Sequence, residues 1–363
     1  MASDKDKNVN LYALIMAGGR GTRFWPASAK NRPKQLMKLG EKSLLRLTYE
    51  RIAPLFPKKN VFVFVSHEIV DDVKRELPEL PIKNVISEPT PKNTAPCIAL
   101  CAQMIFARDP NGVMAVFPSD HYIKETNKFR KIILAAIDFA KKADALMTFG
   151  IKPRYPSTGY GYLHFGECVD KKMGVEIFRL EKFEEKPSQK KSKEFVRSRK
   201  YFWNSGIFVW RTSAILDRLG KFLPRTFEVS RKIARSNNFE SSLKKSFKSM
   251  DAISIDYGVM ERSDNVYSIA ADITWSDLGS WEAFYEVAKK DERDNAVCGG
   301  ELVAVDANRL LVYTQDKLVA AIGVSDLAIV ATDRAILVCP KKKSQRVREI
   351  VSILEGRKRT DLL

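Results

Sequence analysis

Residues 13–35 read ALIMAGGRGTRFWPASAKNRPKQ. An apolar run with the composition of a buried strand ends abruptly on Gly18, Gly19 and Gly21, and the same segment delivers Arg20, Arg23 and Lys34. Glycines permit positive φ and let backbone N–H groups approach an anion, while the three cations can surround a polyphosphate with charge-assisted donors. Pro26 and Pro33 restrict the path between Arg23 and Lys34. Two common phosphate loops do not fit. A Walker loop needs Gly-Lys-Ser/Thr, which does not follow here. Gly19 and Gly21 match the first two glycines of the dinucleotide fingerprint, but Phe24 stands at the third. The glycines alone would read as a turn among solvated charges; the ordered combination reads as an anion site.

Outward from this loop the same rhythm recurs. LYALIMA (11–17), VFVFVS (61–66), VMAVFPSD (113–120) and ALMTFG (145–150) have the length of buried strands, and between them LLRLTYERI, HEIVDDVKREL, APCIALCAQMIFA and FRKIILAAIDFAKK carry apolar residues at helical intervals. Such alternation predicts an α/β domain with a mostly parallel mixed, Rossmann-like sheet flanked by helices, its ligand beyond the carboxyl ends of the strands. After residue 150 longer strands, STGYGYLHFG, VEIFRLEKFEEKP and YFWNSGIFVW, extend the sheet. The polar connector KKDERDNAVC leads to short β runs separated by Gly, Asp and Asn. The expected division is a polar tail at 1–10, a catalytic domain at 11–290, and a small β-rich domain at 291–363 ending in a basic amphipathic helix.

Lysines and arginines number 62 against 44 acidic residues, a formal charge of +18. That balance suits nucleic acid, a membrane surface or phosphorylated small molecules. In KKKSQRVREIVSILEGRKR, Val347, Ile350, Val351 and Leu354 fall at helical spacing, so its cations read as the wet side of one helix. No RGG repeat, basic low-complexity arm or zinc-finger spacing supports a nucleic-acid module. No apolar run is long enough to cross a bilayer, and the polar start MASDKDKNVN lacks a secretory pattern. Five cysteines without a CxxC pair, beside three histidines, argue against a zinc site and for a reducing cytoplasm. Cys97 and Cys101, four apart on an apolar helix, read as small buried hydrophobes.

The remaining motifs carry polar residues at the ends of these runs. FPSDHYI places Asp120 just after a buried strand, and WSDLGSW places Asp277 before a glycine and an N-cap candidate, Ser280. Each aspartate alone reads as a turn former; two carboxylates together suit a magnesium ion that also takes phosphate oxygens and water. In EPTPKNTAPCIAL a Pro-interrupted loop precedes a helix starting near Ala95 or Pro96, which Asn93 or Thr94 could cap. FEEKP pairs Glu185 with Lys186 at a strand end, by itself an exposed ion pair worth less than about 1 kcal/mol. His121 and His164 read as structural.

AGGRGTRFWPASAKNRPKQ resembles the signature loop of the sugar nucleotidyltransferases, and its FWP and PKQ elements are most similar to the mannose-1-phosphate guanylyltransferases (GDP-mannose pyrophosphorylases). The resemblance continues through EPTPKNTAPCIAL, FPSDHYI, STGYGYL, FEEKP, WNSGIFVW, SIDYGVMER and WSDLGSW, covering nearly everything after residue 10. It implies a nucleotidyltransferase fold with a β-helix-like tail, and transfer of GMP from GTP to mannose 1-phosphate, giving GDP-mannose and pyrophosphate. By the same resemblance, Arg23, Lys34, Asp120 and Asp277 are catalytic, and the two aspartates hold Mg2+ or another divalent ion. Ala17, Gly18, Gly19, Gly21, Thr22, Glu88, Asn93, Thr94, Ala95 and Ser119 contact the nucleotide, with Glu88, Asn93 and Thr94 near guanine. Gly161, Glu185, Lys186 and Asn204 bind the sugar phosphate. A cytoplasmic homodimer performing only the nucleotidyl step, with no nucleic-acid or membrane partner, is implied too. The alternatives are another base or hexose specificity, or a non-catalytic nucleotide-sugar-binding regulatory subunit.

Overall fold

A computed structural model describes residues 10–19, 21–28 and 33–363; residues 1–9 of the expected tail lie outside them. The apolar runs become strands because they are covered on both faces: Ala13, Leu14 and Ile15 are fully buried, as are Val61, Phe62 and Val63. Contacts divide the chain into two units. The first holds the residues up to Gly18, Glu50–Pro118 and Ile123–Thr274; the second holds Gly19–Tyr49, Ser119–Tyr122 and Trp275–Leu363.

In the first unit, nine strands among the described residues form one sheet. They are β1 (Leu11–Ala17), β2 (Val61–Ser66), β3 (Val85–Glu88), β4 (Val113–Pro118), β5 (Leu146–Ile151), β6 (Tyr162–Lys172), β7 (Val175–Glu184), β8 (Tyr201–Arg211) and β9 (Val266–Ala270). The spatial order is β3-β2-β1-β4-β8-β5-β9-β7-β6. β3, β2, β1 and β4 run parallel, as do β5 and β9. The long strand β8 enters between β4 and β5 antiparallel to both, so the sheet is mixed. β6 and β7 pair antiparallel, with register shifts along the ladder.

Helices α1 (Thr94–Phe106), α2 (Thr126–Lys142), α3 (Thr212–Phe222), α4 (Pro224–Ala234) and the short α5 (Ile255–Gly258) accompany the sheet. α1 is buried from Ala95 to Ile105, and Cys97 and Cys101 lie inside it as expected of small hydrophobes. α2 shows the helical period: Phe129, Ile132, Ile133, Ala136, Ile137 and Ala140 face inward. The unit's core packs Leu14, Phe62, Phe64 and Val116 of the strands with Leu100, Ile215, Leu219 and Ile233 of the helices. Because β1 and β3 are parallel to β2, their carboxyl ends lie at one edge of the sheet, where Gly18 and Glu88 sit.

The second unit has its own core. Phe24 and Trp25 of the opening loop pack with Leu278, with Trp281 and Phe284 of α6 (Trp281–Val287), and with Val347 and Val351 of α7 (Val347–Gly356). Its β-rich part consists of β10 (Ala296–Cys298), β11 (Glu301–Val305), β12 (Leu311–Tyr313), β13 (Leu318–Ile322), β14 (Leu327–Ala331) and β15 (Ile336–Pro340). Parallel ladders β10-β12-β14 and β11-β13 are joined through one another by turns, with no helix in the crossover, and β15 closes antiparallel on β14. This is a β-helix-like winding. Ala296 faces Leu311 and Leu311 faces Ala328, so successive coils differ by 15 and then 17 residues, and no fixed period shows in the sequence.

The basic C-terminal stretch departs from a single wet-faced helix. Residues Lys341–Arg346 form a 3-10 segment, and only Val347–Gly356 is α-helical. Lys341 is buried: its Nζ lies 3.1 Å from the Tyr285 ring centroid and donates to the Arg309 carbonyl at 2.6 Å. An aromatic face and a carbonyl replace the water this ammonium gives up. Among the described residues no helix is long and apolar enough to cross a membrane.

Candidate active site

In the second unit the opening loop forms the wall of a cavity of about 510 Å³, lined by Gly21–Phe24, Lys34, Asp120, His121, Asp277–Gly279 and Arg348. Thr22–Phe24 make a 3-10 turn, with Phe24 anchored inside and Thr22 and Arg23 left exposed. Gly21 has φ 60°, and a Cβ there would come within 2.6 Å of Lys34 Cβ and 2.8 Å of Ser28 Oγ. The glycine is therefore needed for chain direction and for close approach. Lys34 is pulled inward, donating to Asp120 Oδ2 at 2.6 Å and to the Asp277 carbonyl at 2.5 Å, with Phe24 beneath its ammonium at 5.6 Å. The four residues expected to be catalytic thus line one cavity, although they span more than 250 positions of sequence.

The charges in this cavity are coupled. Burial pushes the Asp120 carboxyl upward, but Lys34 beside it, helped by His121, outweighs that and holds it below the usual carboxylate range. The Trp275 indole N–H donates to His121 Nδ1 at 3.3 Å, which fixes the ring beside the pocket. Ser280 caps α6 by accepting from the Ala283 N–H, as its motif predicts. Ser119 is buried, and its carbonyl accepts from the Thr48 hydroxyl at 3.1 Å. Arg20 lies outside the described residues.

The first unit holds the other expected contacts. Ala17 ends β1 and is fully buried. Gly18 follows it, and a Cβ there would sit 3.8 Å from Glu88 Oε2, so the first glycine and the end of β3 are neighbours. Burial raises the Glu88 carboxyl to about 7, with a hydrogen bond from Cys97 opposing in part. Asn93 has φ 67° and its side chain accepts from the Thr94 N–H at 3.0 Å, so the expected cap exists and α1 begins at Thr94. Thr94 Oγ1 accepts from the Ile255 N–H at 2.8 Å, and the Ala95 N–H donates to the Ile253 carbonyl at 3.1 Å. These bonds tie the start of α1 to the segment that carries Asp256.

A second polar cluster gathers around Gly161. The Asn204 N–H donates to the Gly161 carbonyl at 2.8 Å, and a Cβ on Gly161 would collide with Glu185 Oε2. Lys186 reaches Glu185 Oε1 at 3.1 Å. The Asn204 side chain is fixed from both ends: Oδ1 accepts from the Thr148 hydroxyl at 2.7 Å, and Nδ2 donates to Asp256 Oδ1 at 2.8 Å. Glu261 Oε1 accepts from the Glu185 N–H at 2.5 Å. Burial raises the Glu185 carboxyl against the pull of Lys186, and burial with Glu185 as like-charged neighbour raises Asp256 to about 7. Gly161, Glu185, Lys186 and Asn204 therefore lie in one cluster.

Asp256, Glu261 and Thr148 belong to this cluster, and Arg348 to the cavity, yet none is singled out by the sequence reading. The signal for the first two was the stretch SIDYGVMER, whose carboxylates lie five apart. His164, expected to be structural, pairs with Glu181 at 2.9 Å and stacks on Tyr201. Among the described residues no group of three or more His, Cys, Asp or Glu side chains could hold a metal by itself. Asp120 and Asp277 supply two hard oxygen donors to one cavity, a partial set that phosphate oxygens and water could complete.

Residues 12–294 match the nucleotidyl transferase family, and residues 300–354 match the MannoseP isomerase/GMP-like β-helix domain. Mannose-1-phosphate guanylyltransferase 2 of Escherichia coli O157:H7 is 35% identical over 97% of this chain and 75% of its own length. Mannose-1-phosphate guanylyltransferase RfbM of Salmonella typhimurium is 35% identical over 97% and 74%. A solved structure from Thermus thermophilus, described as a mannose-1-phosphate geranyltransferase, superposes with a TM-score of 0.85 at 32% identity, covering 96% of this chain and all of that one. The chain belongs to the nucleotidyl transferase family, in its mannose-1-phosphate guanylyltransferase branch.

Proposed function

We propose that the protein transfers GMP from GTP to α-D-mannose 1-phosphate, forming GDP-mannose and releasing pyrophosphate. The observation that carries this reading is the convergence of Arg23, Lys34, Asp120 and Asp277 on one glycine-walled cavity. A phosphate oxygen of the sugar phosphate attacks the α-phosphorus of GTP. The bond from that phosphorus to the oxygen bridging to the β-phosphate breaks, and its electrons leave with pyrophosphate. The nucleophile is already an anion, so no general base is needed, and the obstacle is repulsion between two polyanions.

Each residue then has a part. The N–H groups of Gly19, Gly21 and Thr22, with Arg23 and Lys34, neutralise and align the triphosphate and the departing pyrophosphate. Glu88, Asn93, Thr94 and Ala95 take the guanine, Ala17, Gly18 and Ser119 flank the nucleotide, and a carboxylate at Glu88 accepts from two donors on the base edge. Lys186 neutralises the phosphate of mannose 1-phosphate, while Gly161, Glu185 and Asn204 read the hexose, with Asp256 fixing the Asn204 amide. A divalent cation, Mg2+ in the first place, would be held by Asp120 and Asp277 and would supply further neutralisation of the phosphates.

The same proposal divides the chain into a catalytic domain at 11–290 and a β-rich domain at 291–363, and takes the active form to be a cytoplasmic homodimer. The test is pyrophosphate release by the purified protein offered each nucleoside triphosphate with mannose, glucose or fucose 1-phosphate. GTP with mannose 1-phosphate should react best. Preference for another pair overturns the substrate assignment, and no turnover with any pair under Mg2+ or Mn2+ favours a regulatory subunit. Analytical ultracentrifugation tests the dimer.

A further inference from the structure

We propose that Arg348, in the first turn of α7, binds the terminal phosphates of the nucleoside triphosphate and the pyrophosphate that leaves, so that the C-terminal helix completes the anion cavity. The proposal rests on reading this cavity as the triphosphate site.

Three observations support it. Arg348 lines the same cavity of about 510 Å³ as Arg23, Lys34, Asp120 and Asp277. Its backbone is anchored there: Val347 on one side and Val351 one turn later are buried in the core that holds Phe24, the inward residue of the turn bearing Thr22 and Arg23. Among the described residues its guanidinium makes no hydrogen bond and no ion pair within 4 Å, and only its charge reaches Glu349, to which its neighbour Arg346 is bound at 2.8 Å.

Charge arithmetic gives the position a purpose. Without Arg348, the two side-chain cations of the lining, Arg23 and Lys34, are matched in number by the carboxylates of Asp120 and Asp277, and Lys34 shares its charge with Asp120. Even with the divalent cation that the two aspartates would hold, that lining falls short of a ligand carrying about four negative charges. Arg348 adds a further positive charge to the lining, and its planar fork can hold two phosphate oxygens at once. Its exposed position suits groups that enter and leave, which the outer phosphates do and the transferred α-phosphate does not.

The test uses the full chain as wild type, Arg348→Ala, Arg348→Lys and Arg346→Ala. Isothermal titration with inorganic pyrophosphate should show affinity about tenfold weaker in Arg348→Ala, partly restored in Arg348→Lys and unchanged in Arg346→Ala. GMP, which lacks the outer phosphates, should bind all four equally. In turnover, Arg348→Ala should raise KM for GTP, and for pyrophosphate in the reverse direction, about tenfold while KM for mannose 1-phosphate stays put. Pyrophosphate affinity within twofold of wild type in Arg348→Ala overturns the proposal. Equal weakening of GMP, or equal weakening by Arg346→Ala, also overturns it, by showing disturbed folding or bulk charge instead. If the wild type makes no GDP-mannose, the reading of the reaction fails, while the pyrophosphate titration still decides Arg348.

Discussion

Lys34 joins three parts of the sequence through one ammonium group, since its partners are Asp120, the carbonyl of Asp277 and the face of Phe24. Replacing it with alanine removes a cation from the cavity proposed to hold the triphosphate and leaves the Asp120 carboxylate without its Lys34 partner. Lys34→Ala should lower kcat by at least about a hundredfold. It should also cost about 1–3 kcal/mol of stability, measured by chemical denaturation at pH 7. The sign of the pH dependence follows from Asp120, whose folded-state carboxyl lies below its ordinary value. Its stabilisation is present above the unfolded value near 3.9 and is lost as pH falls through the folded one, so the penalty of Lys34→Ala should shrink toward low pH. Glu88 behaves oppositely. With its carboxyl raised to about 7, the proton favours the folded state, and that stabilisation is complete below the unfolded value near 4.3 and lost as pH rises through 7. Glu88→Gln should therefore stabilise the free protein at pH 8, by about 1–3 kcal/mol in denaturant titrations, and not at pH 4. If the ionised carboxylate accepts from guanine, KM for GTP should fall as pH rises from 6 to 8 in the wild type, and Glu88→Gln should flatten that profile.

At the scale of elements, the start of α1 both caps a helix and braces the segment preceding Asp256. Thr94 accepts a hydrogen bond from the Ile255 N–H, and Ile255 itself is fully buried. Thr94→Val keeps the shape but leaves that N–H unpaired, which should cost about 1–3 kcal/mol in a denaturant titration. Because Asp256 follows directly and holds the Asn204 amide, the same variant should raise KM for mannose 1-phosphate as well as for GTP. Thr94→Ser retains the acceptor and should restore both; no recovery would mean that the methyl packing, not the hydrogen bond, matters. The apolar runs β1, β2 and β4 were legible because strands covered on both faces are continuous in their hydrophobicity. The antiparallel entry of β8 between β4 and β5 was not, since strand direction depends on partners from elsewhere in the chain.

At the scale of the whole molecule, the second unit brings residues 19–49 and 275–363 around one core, so the glycine-cation loop and the C-terminal helix share their packing. Phe24 lies edge-on to Trp281 at 4.9 Å between ring centroids, and Val347 and Val351 complete that cluster. Val351→Asp should lower the melting temperature and reduce kcat/KM for GTP severalfold by displacing the turn that carries Arg23. Ile350→Asp, on the exposed side of the same helix, should change neither. Thermal melts beside steady-state kinetics check the pair, and a normal kcat/KM in a destabilised Val351→Asp would uncouple the helix from the loop.

The sequence by itself determined the strands, the capped helix at Asn93 and the glycine-cation loop, because each depends on residues close along the chain: an apolar run, a side chain beside a free N–H, three glycines beside two arginines. Only the tertiary structure decided that Asp120 shares a cavity with Asp277, that Asp256 grips Asn204, that Lys341 is buried against Tyr285, and that Arg348 shares a cavity with residues of the glycine-cation loop. A lone aspartate at a turn and a cation on a helix have the same local pattern whether they meet water or a partner. The folded chain places the partner tens to hundreds of positions away in sequence, where no local pattern can register it.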